Sequence, residues 1–175
     1  KMQNGNARGK SDNQPANVHF TTAADIDAAL PVVQQGLGIA YCNLKRIPEA
    51  LDCFRRATEL APEDPATHGN LGNCHRQAGN PVEAERCYRK AISLNAAYTP
   101  AYINLADILA RHQRHNDAVK IYRKALRHTA DSPENRTNLV LLNHRLGLAL
   151  RELDATEEAM TCYREAIAKQ PDFAP

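Results

Sequence analysis

Short apolar stripes, rather than long apolar runs, organise the chain. Ala84, Tyr88 and Ala91 fall at i, i+4 and i+7, one face of a helix with 3.6 residues per turn. The stripe recurs as Ala50, Phe54 and Ala57, thirty-four residues earlier, and as Ala118, Tyr122 and Ala125, thirty-four residues later. Ala159, Tyr163 and Ala166 form a fourth copy after a step of 41. Leu37, Leu71, Leu105 and Leu146 keep the same register; Gly38, Gly72 and Gly147 follow three of them, and Ala106 takes that place in the third unit. Independent columns sharing one period define an internal repeat, the pattern of a stacked array rather than of a single-core domain.

Each unit reads as two helices. In the second, Pro65 opens the first helix, which carries Leu71 and Gly72 and stops at Ala78-Gly79-Asn80. Pro81 then suits the first turn of the second helix, where a missing N–H costs nothing. The Gly and Ala columns let two helix backbones approach closely, and the aromatic fills the gap beside them. Faces that no unit buries alone are buried between neighbours.

The units predicted are 31–64, 65–98, 99–132 and 133–173, followed by a short tail at 174–175. The longer last step places seven extra residues, about Pro133 to Leu139, ahead of the fourth unit. Seven residues are close to two helical turns, so they can lengthen a helix without rotating its apolar face. With Asp131-Ser132-Pro133-Glu134 as a start signal, the expectation is one long helix from about Pro133 to Leu153, protruding from an edge of the array. Residues 1–20 are polar and read as a disordered or partner-bound tail. Residues 21–30, capped by Thr21 or Thr22 and carrying Asp25, Ile26 and Leu30, read as a short leading helix over the apolar flank of the first unit. No polar capping helix follows the fourth unit before Pro175, so that end is expected either to continue into a longer protein or to be covered by a partner.

With its large residue, Leu-Gly, Tyr, Ala, Phe/Tyr, Ala and Pro, the repeat resembles the tetratricopeptide repeat (TPR). The first unit carries the pattern most fully, as Leu37-Gly38, Tyr41, Ala50, Phe54, Ala57 and Pro62. The resemblance covers about residues 31–173; Gln34, His68, Tyr102 and Asn143 stand where the family often has Trp, and Ala96 and Ala130 replace the terminal Pro. It implies an all-α, right-handed α-solenoid of four helix-turn-helix units, the fourth with an extended first helix.

Composition narrows the function. Lys+Arg is 22 against Asp+Glu 20, a net charge of only +2, which argues against a polyanion such as nucleic acid as main partner. Aromatics make up 5% with no Trp, too few for a base-stacking platform. No apolar run reaches the roughly 18 residues of a membrane span. Cys42, Cys53, Cys74, Cys87 and Cys162 include no CxxC pair and read as reduced helix residues, which points to a cytoplasmic chain. In that compartment the sequon Asn135-Arg136-Thr137 is inert.

Catalytic signals are poor. No glycine-rich phosphate loop, HExxH or GxSxG is present. His112 and His115 read as a solvated turn rather than a metal site, and His75 beside Cys74 as a packed side chain in the family's Tyr column. The expectation is a chain that is not an enzyme and needs no cofactor or metal.

The groove remains. In TPR arrays the first helices line the concave surface, and the resemblance carries Asn43, Asn70, Asn73, Arg76, Asn104, Asp107, Arg111, Arg145 and Arg151 onto it as candidate peptide-binding residues. Ile39, Ile103 and Leu141 supply small apolar contacts there. Asn70 and Asn104 occupy one position a repeat apart, with Asn73 one turn after Asn70. An amide both donates and accepts, so an Asn ladder can hold an extended backbone with little regard to its sequence. In this the groove resembles the TPR domain of O-linked N-acetylglucosamine transferase, although Gly36 and Arg145 replace Asn in the outer units. The arginines suit carboxylates, so the expected ligand is an extended or acidic segment of another protein. The clamp by which chaperone-binding members grip an acidic tail is matched only at Asn73, Asn104 and Arg145, with Gly69 and Leu141 at its lysine positions. Two other expectations stand beside the scaffold: a substrate-recruiting arm of a larger enzyme such as a glycosyltransferase, and self-assembly through the uncapped end at Pro175.

Overall fold

The structure, a computed structural model, describes residues 30–169. The expected tail at 1–20, the body of the leading helix at 21–30 and the end at Pro175 lie outside the described residues. Eight α-helices form among them: α1 (Pro31–Asn43), α2 (Ile47–Leu60), α3 (Pro65–Gln77), α4 (Pro81–Leu94), α5 (Thr99–Arg111), α6 (His115–His128), α7 (Arg136–Arg151) and α8 (Thr156–Ala168). No strand occurs among the described residues. They pack as consecutive antiparallel pairs, α1 with α2 through α7 with α8, and each second helix also packs on the first helix of the next pair.

Each pair is closed by one device. Lys45, Gly79, Gln113 and Asp154 follow the four first helices and adopt φ of 61°, 76°, 60° and 58°. The next residue's N–H then reaches back to a carbonyl five positions earlier: Arg46 to Tyr41, Asn80 to His75, Arg114 to Leu109 and Ala155 to Leu150, at 2.9–3.0 Å. This is the Schellman closure, which satisfies orphan carbonyls and turns the chain sharply. Only one unit uses Gly for the left-handed residue.

Packing follows the columns. A Cβ added to Gly38 would lie 2.8 Å from the Phe54 ring, one on Gly72 2.7 Å from Tyr88, and one on Gly147 2.6 Å from Tyr163. The glycines are therefore the sockets of the aromatics. In the third pair Ala106 and Tyr122 are both fully enclosed. One core runs from Ala84 through Tyr102, Leu105 and Tyr122 to Leu146 and Cys162, and a smaller one joins Cys42, Phe54, Leu71 and Cys74.

The backbones of successive first helices come close to one another (α1 with α3, α3 with α5, α5 with α7), whereas those of successive second helices do not among the described residues, and α6 reaches α8 only through the long side chains of the Arg123–Glu158 ion pair. The first helices therefore follow the shorter, inner arc and line the concave face.

The fourth pair departs from the expected long helix. Pro133–Asn135 form a 3₁₀ turn, and α7 begins only at Arg136 and ends at Arg151. Ser132 is extended, its hydroxyl makes no cap bond, and Asn135 donates to its carbonyl at 3.0 Å, so the tight turn is spent before the α-helix starts. The result is sixteen helical residues against thirteen in the other first helices, with Leu139 already buried rather than protruding.

Candidate functional site

The inner face divides into an amide half and a charged half. The amide half starts at the cap of α3. Asp64 accepts from the Ala66 and Thr67 N–H groups at 3.2 and 2.9 Å and from the Thr67 hydroxyl. Gln35 on α1 donates to Thr67 Oγ1 at 2.6 Å and to Asp64 at 3.3 Å, and its oxygen accepts from Asn70 Nδ2 at 3.3 Å. Burial pushes the Asp64 carboxyl up, but the bonds from Thr67, Ala66 and Gln35 outweigh it and hold its pKa below the ordinary value.

One turn along α3, Asn73 Oδ1 accepts from Tyr88 OH at 2.7 Å and from Asn104 Nδ2 at 3.0 Å. A column aromatic whose ring fills the Gly72 socket thus sends its hydroxyl through to the groove. Burial pushes the Tyr88 hydroxyl up to about 12, against the pull of the neighbouring Arg76 guanidinium, so it remains a donor. Three amide atoms are used by no bond among the described residues: Asn70 Oδ1, Asn73 Nδ2 and Asn104 Oδ1. Fixed by their spent partners, they present acceptor, donor and acceptor to the groove. The oxygen and nitrogen are assigned by this network.

The charged half lies between α5 and α7. Tyr122 OH donates to Asp107, and burial first, then Asp107, pushes its pKa up. Arg145 Nε stands 3.9 Å from Asp107, too long for a hydrogen bond, and finds no other partner. Asp107, Arg111, Arg145 and Glu152, with His115 and Leu148, surround an open cavity of about 130 Å³. Two guanidiniums here face two carboxylates, so this stretch is less basic than the Arg column suggests. Arg111 is exposed and pairs with no carboxylate among the described residues.

The other expected positions behave differently. Asn43, the exposed last residue of α1, joins no bond of the ladder. Arg151 does not line the cavity itself but pairs at 3.2 Å with Glu152, which does. Ile103 is only 8% exposed and belongs to the core, so it offers no groove contact. Sequence reasoning missed Tyr88 and Tyr122 as groove donors. Part of the signal was present, since Asn73 and Asp107 precede Tyr88 and Tyr122 by fifteen residues, but tyrosine alone does not mark it, because Tyr163 follows Leu148 at the same spacing.

The chemistry-bearing residues elsewhere are quiet. His75 is buried, which lowers its pKa, and Cys74 Sγ lies 3.9 Å from the Ile47 carbonyl. Burial pushes the Cys74 thiol up to about 12 and raises those of Cys87 and Cys162, the opposite of an activated nucleophile. His112 sits beside Pro81 and Val82 on one side of α5 and His115 in the groove cavity. No three metal-ligating side chains cluster among the described residues. Nor is any helix among them long and apolar enough to cross a membrane.

Paired helices stacked about a polar inner arc define an α-solenoid of the helical-repeat class. The chain belongs to the tetratricopeptide repeat family, whose profile matches residues 28–97 and 97–171. No curated protein matches it in sequence. Similar solved structures include MamA, at 18% identity and a TM-score of 0.72 over 87% of this chain and 85% of that one. Another is YrrB, a TPR protein with an unusual peptide-binding site, at 20% identity and a TM-score of 0.64 over 89% of this chain and 77% of that one. At these identities the likeness is one of fold.

Proposed function

We propose that the chain is an interaction scaffold whose concave face binds an extended segment of another protein, held chiefly by its backbone. The observation that carries the reading is the fixed acceptor–donor–acceptor set of Asn70 Oδ1, Asn73 Nδ2 and Asn104 Oδ1. A backbone N–H satisfies each acceptor and a carbonyl the donor, with no demand on the ligand's side chains. Because Gln35, Asn104 and Tyr88 already hold these amides, little rotamer freedom is lost on binding. Arg111 then takes a carboxylate farther along, and Leu141 and the half-exposed Ile39 supply apolar contact. That a TPR protein of similar fold, YrrB, has a peptide-binding site supports placing function on a surface rather than in a catalytic centre. Recruitment of a substrate to an enzyme is one use of such a groove and needs no different chemistry.

The test is selection of binders from a random displayed peptide library, followed by titration against wild type and Asn70→Ala/Asn104→Ala. Losing two neutral hydrogen bonds weakens binding by about 1–3 kcal/mol, roughly five- to 150-fold, in a protein that stays folded. Equal affinity for the folded double variant overturns the reading.

A further inference from the structure

The outer side of the array carries a cavity that the groove does not use. Between α2, α3 and α4 lies an open space of about 390 Å³, lined by Thr58, His68, Leu71, Arg86, Cys87 and Lys90. Leu71 and Cys87, 8% and 4% exposed, form its floor, and the exposed Arg86 and Lys90 stand at its rim. Small-ligand pockets span roughly 300–1,000 Å³, with an apolar lining and a few polar groups, and this one falls within that range.

The next repeat shows where the space comes from. Thirty-four residues on, Thr58, His68 and Cys87 become Ile92, Tyr102 and Ile121, each a larger side chain, and Lys90 becomes Lys124. There the Tyr102 ring is 1% exposed, Ile92 and Ile121 pack against the same core, and Lys124 Nζ lies 5.9 Å from the ring centre. His68 does not play that part. Its ring is smaller, and its Nε2 donates to the Pro62 carbonyl at 2.8 Å, which ties it to the loop before α3 and leaves it half-buried. The later valley supplies its own aromatic ring; the earlier one has the walls for a ring of that size and none in the chain to fill it.

Charge selects among rings. No carboxylate lines the cavity. Arg86 is matched by Glu83 at 2.8 Å, whereas Lys90 pairs with no carboxylate among the described residues. The ammonium that faces Tyr102 one repeat on is here unspent. An apolar floor beneath a free ammonium suits a flat ring carrying a negative charge and disfavours a cationic one. We propose that this valley binds a small planar aromatic acid, its ring on Leu71 and Cys87 and its carboxylate toward Lys90. The walls come from second helices on the outer arc, so the site is independent of what the concave face binds.

The experiment is fluorescence anisotropy of indole-3-acetate titrated with the full chain, which has no Trp, so the indole signal reports the probe alone. Saturable micromolar binding is expected, with tryptamine, the cationic counterpart, roughly tenfold weaker. Lys90→Glu, at an exposed position, weakens indole-3-acetate by roughly tenfold. Thr58→Ile with His68→Tyr fills the valley as the next repeat does and abolishes binding, while its thermal unfolding stays at or above that of wild type. Absence of saturable binding, or equal binding by wild type and Lys90→Glu, overturns the site. Binding that Arg111→Ala removes and Lys90→Glu leaves intact places the ring in the groove and overturns it equally. A peptide carrying Glu-Trp that binds where indole-3-acetate does not makes the valley a protein-docking surface and overturns the small-molecule assignment.

Discussion

α1 and α5 hold the same place in their repeats and have the same length, yet they sit in different worlds. Leu105 and Leu109 on α5 are each 1% exposed; Leu37 on α1 is 44% exposed and Tyr41, the counterpart of Leu109, only half-buried. The residue types are similar, so burial in this molecule is a property of the neighbour rather than of the residue. An inner pair has packing on both flanks. Among the described residues the first pair has it on one.

The comparison can be broken most forcefully at the leucine column. Leu105→Ala leaves a cavity between α4, α5 and α6 and is expected to cost about 3 kcal/mol, while Leu37→Ala costs about 1 kcal/mol. Thermal or urea unfolding of the two variants reads the difference, and equal losses contradict it.

Glycine gives the next contrast. Gly72→Ala drives a Cβ to 2.7 Å from the enclosed Tyr88 ring and is expected to destabilise by about 2 kcal/mol, dragging the Tyr88–Asn73 bond with it. At Gly36, on the open side of α1, an added Cβ meets nothing within 4 Å, so Gly36→Ala stabilises by about 0.5–1 kcal/mol through helix propensity alone. A Gly72→Ala variant as stable as wild type would dissolve the socket argument.

A smaller effect separates the helix starts. α3 is capped by Asp64, whereas Leu30 before α1 and Tyr98 before α5 make no side-chain cap. Asp64→Ala is expected to cost about 1 kcal/mol at neutral pH. Because the folded-state pKa of Asp64 lies below its ordinary 3.8, the charged form favours the fold. That stability is present above the ordinary value and disappears as pH falls through the lowered one. Stability curves of wild type and Asp64→Ala should therefore converge in acid; parallel curves would contradict the assignment.

Most of the fold was legible in the sequence because repetition multiplies weak signals. One Ala-x₃-Tyr-x₂-Ala stripe is ambiguous, but four in register with a Leu-Gly column fix both helices of each pair. The miss at Pro133–Leu153 came from the one place without a repeat partner. There the Ser132–Asn135 turn competes with the helix start, and periodicity cannot see it. For the site, residue type and column placed Asn70, Asn73 and Asn104 together. Which atoms remain open was not legible, since that depends on Tyr88 and Gln35 reaching across from other helices. Asn43 shows the limit of column reasoning: the same kind of position, at a helix end, acquires no partner.

The central claim is that the groove reads backbone, and one titration tests it most directly. A library-selected peptide is compared with versions methylated singly at each backbone nitrogen and with versions carrying single alanine substitutions. The account predicts that methylation at two nearby positions, those facing Asn70 Oδ1 and Asn104 Oδ1, abolishes most of the binding, while most alanine substitutions change it little. Binding that survives every methylation but is lost with one side chain would contradict it.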